Sequence, residues 1–184
     1  MAAIVILLSL IAFIVFTYFI LYNSLIRSKV QVDNAWSQID VQLKRRHDLI
    51  PNLVNSVKGY MKHEQETLEK VIQARAAAVG AKDIPSRMKA EGEISGLLGR
   101  LLAVVEQYPN LKADRHALEL MEELKTTENS IAFARQHYND SVMQYNYRIK
   151  AFPWVIIAPM MNLSEREYFE IENEEEKKAP EVKF

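Results

Sequence analysis

The chain opens on an unbroken apolar block and then changes period. Ala2 to Tyr22 reads AAIVILLSLIAFIVFTYFILY, with no charged side chain and only Ser9 and Thr17 as small polar interruptions. A helix of about 20 residues rises about 30 Å, the thickness of a bilayer's hydrocarbon core, so the block predicts a transmembrane helix. A cleaved secretory signal fits less well. No Lys or Arg precedes the block, and no small-x-small cleavage site follows it before Arg27. Tyr18 and Tyr22 fall where a membrane-interface aromatic belt would place them, with Arg27 and Lys29 just beyond.

From Ser24 onward the apolar positions take a helical period: Val32, Trp36, Ile39, Leu43, Ile50, Leu53, Val54, Val57 and Met61. The pattern predicts one long helix over 24–79, either separate from the span or continuous with it, stopping at Gly80, with Pro51 kinking or splitting it. A second helix is expected from Asp83, its N-cap, to Tyr108, and a third from an Asn110 cap to Ala151. The third carries Leu118, Met121, Leu124, Ile131, Tyr138, Val142, Tyr145 and Ile149 on its apolar line. Phe152 to Met161, FPWVIIAPMM, breaks that helix with two prolines. It is expected to close the bundle end rather than dip into lipid, where an irregular backbone would be left unpaired. Ser164 then caps a short last helix through Ile171.

The fold class implied is all-α. An N-terminal transmembrane helix (1–23) leads into an antiparallel four-helix-type bundle of long helices (24–172), and a charged flexible tail (173–184) follows. Five Gly and six Pro in 184 residues leave little material for turn-rich β structure. The 23 basic and 24 acidic side chains give a formal net charge of −1, against nucleic acid as the main partner. The basic residues Arg27, Lys29, Lys44, Arg45 and Arg46 all follow the span, so the positive-inside bias places the N-terminus outside and the bundle in the cytoplasm. With no Cys, thiolate catalysis, disulfides and zinc–thiolate sites are absent together.

Catalytic signatures are weak. Gly92-Glu-Ile-Ser-Gly96 resembles a nucleophile elbow only loosely, with its Ser displaced by one; close helix approach at the two glycines is the better reading. His47, His63, His116 and His137 show neither Glu-x-x-His nor His-Glu-x-x-His spacing, so neither metal nor cofactor is expected. His47-Asp-Leu-Ile-Pro51 approaches the phospho-accepting box of sensor histidine kinases, but Pro comes one residue early. His47 is read instead as an ordinary surface side chain.

Polar residues on the apolar stripes say more. Arg46 falls within the stripe of Leu43, Ile50 and Leu53, while Glu128, Arg135, Asn139 and Asn146 share one edge of the third helix. A buried charge is costly unless paired, so Arg46 or Arg135 should meet Glu128 or Glu106 in a network that fixes helix register.

The same residues carry a family resemblance. Val32-Asp-Asn-Ala-Trp36, Lys44-Arg-Arg-His-Asp-Leu-Ile-Pro-Asn-Leu-Val54, Val57-Lys-Gly-Tyr60 and Ala74-Arg75 lie in the first half. Glu106-Gln-Tyr-Pro-Asn-Leu-Lys112, Thr127-Glu-Asn129, Ala134-Arg135, Tyr138-Asn139, Tyr145-Asn146 and Phe152-Pro153 follow. Together they resemble the LemA family of bacterial membrane proteins over nearly the whole chain. The resemblance implies a bacterial cell-membrane protein with one span, a helical bundle and no established enzyme activity.

The expected function is a membrane-anchored helical scaffold that self-associates and recruits other membrane proteins, rather than an enzyme. Trp154, Val155, Ile156, Ile157, Met160 and Met161 are its candidate interface, being rich in aromatic and Met side chains. The alternative is a signal-transducing helical relay with a ligand or partner site in the bundle.

Overall fold

A computed structural model of the chain describes residues 1–105 and 107–169; the expected tail and the end of the last helix at Ile171 lie outside them. The described residues are almost entirely helical. The elements are α1 (Ala2–Val57), α2 (Gln65–Gly80), α3 (Ile84–Val105), the single turn α4 (Pro109–Lys112), α5 (Arg115–Lys150), α6 (Trp154–Ile157) and a 3₁₀ turn, η1 (Pro159–Met161). Leu163 to Phe169 follow as irregular backbone, so the helix expected from Ser164 does not start there.

The break in the first long helix falls at Lys58–Glu64, not at Pro51, which sits inside α1. Proline lacks an N–H, so its place in a helix leaves the carbonyl four residues earlier without its usual donor. Here that carbonyl belongs to His47, and Nε of Arg75, on α2, donates to it at 2.6 Å. Pro51 is tolerated because a side chain from the next helix replaces the missing amide. The chain turns instead after Val57, whose carbonyl accepts from both Tyr60 N (2.9 Å) and Met61 N (3.0 Å). Met61, fully buried, then anchors the link in the core.

The later boundaries also follow local chemistry. Asp83 caps α3, its Oδ1 accepting from Ser86 N at 2.9 Å, as the sequence predicts. The cap of α5 is Asp114, accepting from His116 N and Ala117 N, and not Asn110, which lies within α4. Leu118 consequently faces solvent, and Ala117, Leu120 and Met121 take the core positions.

Two compact units share the long helices. Among the described residues, unit 1 holds Met1–Asp40 and Phe133–Tyr168; unit 2 holds Val41–Ala132 and Phe169. Unit 2 is a four-helix-type bundle made from the C-terminal part of α1, α2, α3 and the N-terminal part of α5. Its core includes Leu53, Val57, Met61, Val71, Ile94 and Leu101, each nearly or wholly removed from water. In unit 1, Val32, Ala35 and Ile39 of α1 and Tyr138, Val142 and Tyr145 of α5 are buried. Towards the N-terminus α1 continues as an exposed apolar rod, long and apolar enough to cross a membrane, with mean hydropathy 3.0 over its most apolar stretch.

Candidate functional site

Unit 2 is organised around one guanidinium. Arg46 and Glu91 are both fully removed from solvent, and Nη2 of Arg46 pairs with Oε2 of Glu91. Nη1 donates to Oε2 of Glu128 at 2.5 Å and to Oγ of Ser95 at 2.9 Å, while Ser95 donates to Oε1 of Glu128 at 2.6 Å. Nη2 also reaches the Glu91 carbonyl, at 3.3 Å. Three helices therefore meet through one residue of α1, two of α3 and one of α5.

His47 completes the cluster. It is buried, with Nε2 2.9 Å from Oε1 of Glu91, an ion-pair distance without the alignment of a hydrogen bond. It is not the surface histidine expected from the sequence. Burial pushes the Glu91 carboxyl up, but contact with His47 and Arg46 outweighs it and holds the group below its ordinary value. The Ser95 hydroxyl is committed on both sides, its proton to Glu128 and a lone pair to Arg46. Its displaced nucleophile-elbow setting thus resolves as a structural hydroxyl. Gly96 beside it has open space where a Cβ would stand, so close helix approach is not its role.

Among the expected network residues, Arg46 and Glu128 are brought together. Glu106 lies outside the described residues. Arg135, Asn139 and Asn146 belong to unit 1, where Arg135 is buried and Asn139 half-buried. Asn146 grips a backbone: its Nδ2 donates to Arg166 O and its Oδ1 accepts from Arg166 N, both at 2.9 Å. Tyr145 Oη donates to Ser164 O (3.1 Å) and Tyr138 Oη to Glu167 O (3.0 Å), and Trp36 packs edge-on against the Tyr138 ring. The irregular 163–168 segment, which cannot pair its own carbonyls, is thus read by three side chains of α5.

Sequence reasoning missed Glu91, Ser95 and His47. Glu91 was findable, because it stands three, seven and ten residues before Ile94, Leu98 and Leu101, squarely on the buried line of α3.

Of the candidate interface, Val155, Ile156 and Met160 are exposed, Trp154 and Met161 half-buried, and Ile157 buried. Tyr18, Tyr22 and Arg27 are exposed on α1 and Lys29 is half-buried. Among the described residues no three His, Asp or Glu side chains converge as a metal ion would require.

The sequence profile of the LemA family matches residues 35–184. This chain belongs to the LemA family. Protein LemA of Metamycoplasma hominis is 30% identical over 142 residues, 77% of this chain and 65% of its own length. The chain thus spans just under two thirds of that curated relative. Magnetosome protein MamQ of Magnetospirillum gryphiswaldense is 27% identical over 88% of this chain and 69% of its own. Magnetosome protein MamQ 2 of Paramagnetospirillum magneticum is 28% identical, over 89% and 69%. This LemA-family chain is a membrane-associated helical protein, and its Arg46–Glu91–Glu128 cluster lies within the matched region.

Proposed function

We propose that the protein is a non-enzymatic scaffold, anchored by a single α1 span with its N-terminus outside, whose copies associate in the plane of a bacterial cell membrane. The observation that carries this reading is the outer face of α5. Phe133, Met143 and Tyr147 are large, apolar and exposed, and the helical period puts them within an arc of about 80°. Such a stripe in water is a cost that contact with another chain removes. The polar centre of unit 2 supports the same reading, because Arg46 finds its counter-charges, Glu91 and Glu128, inside the fold.

Mass photometry of the full-length protein in detergent should show oligomers, and Phe133→Ser with Tyr147→Ser should yield monomers with unchanged helical signal and melting. A wild-type protein that stays monomeric over a wide concentration range overturns self-association. A reporter active only in the cytoplasm should work when fused after Phe184; activity of a periplasm-only reporter there would reverse the orientation.

The relay reading draws on a different detail. Nε of Arg46 is buried without a hydrogen-bond partner, and His47 and Glu91 are close but misaligned, so the cluster holds bonding capacity for a second arrangement. A relay requires Glu91→Gln to change amide exchange along α5 beyond the cluster. Exchange altered only at residues touching Glu91 would dismiss it.

A further inference from the structure

We infer that the 151–161 segment is a membrane foot: Phe152, Ile156 and Met160 rest in the interfacial layer of the bilayer that α1 enters. The inference relies on the span proposed above and adds a second point of contact with lipid.

Position comes first. Within unit 1, α5 runs antiparallel to α1: Trp36 meets Tyr138, and Nη1 of Arg148 lies 3.3 Å from the Ser24 carbonyl and against the Ser28 hydroxyl. Continuing that register by one turn brings Ala151 and Phe152 level with residues 21–24, where the apolar block ends. Ile20 is exposed and Leu25 fully buried, so the packed part of unit 1 begins at the same height.

The side chains then divide. Ile157 and Ala158 are buried in unit 1, whereas Phe152 is 79% exposed, Ile156 61% and Met160 70%. A second copy could cover them only after association, but the bilayer is already present at that height in every copy. Aromatic and aliphatic side chains beside a span, flanked by Arg27, Lys29 and Arg148, have the composition of interface-seated segments.

Partial backbone pairing lessens the objection to a loop near lipid. Val155 N donates to Ala151 O and Ala158 N to Trp154 O, both at 2.9 Å; Ile156 N reaches Pro153 O at 3.3 Å. Met161 N donates to Ala158 O (3.2 Å), Asn162 N to Pro159 O (3.0 Å) and Leu163 N to Ala158 O (3.1 Å). Pro153 and Pro159 have no amide to satisfy. The expectation of an internal lid rested on unpaired backbone, and the amides of Val155, Ile156, Ala158 and Met161 are paired.

The chain has no Cys, so single-cysteine spin labelling needs no background removal. Full-length variants Phe152→Cys, Ile156→Cys and Met160→Cys would be placed in nanodiscs of equal parts phosphatidylcholine and phosphatidylglycerol. Phe13→Cys serves as the lipid reference and Val41→Cys as the water reference. Labels at the foot should collide more with oxygen than with a nickel chelate, as at Phe13. Foot labels that match Val41 while Phe13 remains lipid-like overturn the foot alone; a water-like Phe13 overturns the span with it. Spin–spin broadening at Ile156 or Met160 that vanishes on dilution with unlabelled protein assigns the patch to a second copy and also overturns the inference.

Discussion

Unit 2 and unit 1 both bury polar side chains, by opposite means. In unit 2, charge meets charge: Arg46 on α1 holds Glu91 on α3 and Glu128 on α5. Around the 163–168 segment of unit 1, neutral side chains meet backbone, with Tyr138, Tyr145 and Asn146 holding it. A charge cluster penalises every packing that leaves one partner alone, so it specifies how three helices register. A neutral clamp spares an irregular strand its unpaired carbonyls and amides, at lower stakes on either side.

The sharpest break in this contrast is Arg46→Ala. It strands fully buried Glu91 and should cost about 3–5 kcal/mol in denaturant unfolding of the full-length protein in detergent. Glu128→Ala should cost only about 1–2 kcal/mol, since the Glu128 side chain is 38% exposed and water can take over part of its role. Equal losses would mean that the cluster is not centred on Glu91.

Titration separates the units next, in opposite directions. Glu91 has a folded pKa below the ordinary 4.5, so its stabilisation is complete above that value and lost as pH falls through the lowered one. Burial pushes the Tyr138 and Tyr145 phenols above 10, so their stabilisation is complete below pH 10 and lost as pH rises through the raised values. Amide exchange against pH should show unit 2 loosening first in acid and the 163–168 segment first in alkali. The reverse order would undo the assignment.

A third test uses Pro51. Arg75→Ala should cost about 2 kcal/mol, because it leaves the His47 carbonyl without a donor. In a Pro51→Ala background the helix regains its own amide, and most of that cost should disappear. A double-mutant cycle in denaturant measures this coupling; additive losses would show that Arg75 acts elsewhere. Asn146→Ala should follow at about 1–2 kcal/mol, with the Arg166 amide exchanging faster while exchange in α2 and α3 is unchanged. Arg45→Ala comes last at under about 1 kcal/mol, since its bridge to Glu123 is exposed at both ends. Adjacent arginines, Arg45 and Arg46, thus bracket the range.

Much of this was legible in the sequence, where the signal was local. The apolar block, the helical periods, the Asp83 cap and the misfit of Arg46 on an apolar stripe need no knowledge of neighbours; the cost of a buried charge narrowed the pairing to Arg46 or Arg135 with Glu128 or Glu106, of which Arg46–Glu128 forms. What escaped depended on another element. Pro51 reads as a breaker until Arg75 is seen to complete the His47 carbonyl. His47 reads as surface because helix phase alone puts it on the flank of the stripe; Glu91, from α3, is what it faces. The exposure of Phe152 and Ile156 beside buried Ile157 arises from a short helix between two prolines, which periodicity over four residues cannot phase.

The uninterrupted passage of α1 from its apolar block into packed helix has a mechanical consequence. With α1 helical without a break from Ile20 to Val30, a span of the kind proposed above could not absorb a change in hydrocarbon thickness by bending at the membrane surface. The proposed span would then have to tilt or deform the surrounding lipid, at a cost of fractions of a kcal/mol per Å of mismatch. Bilayers whose thickness matches the rise of residues 2–22, about 30 Å, would therefore collect the protein, and thicker or thinner regions would lose it.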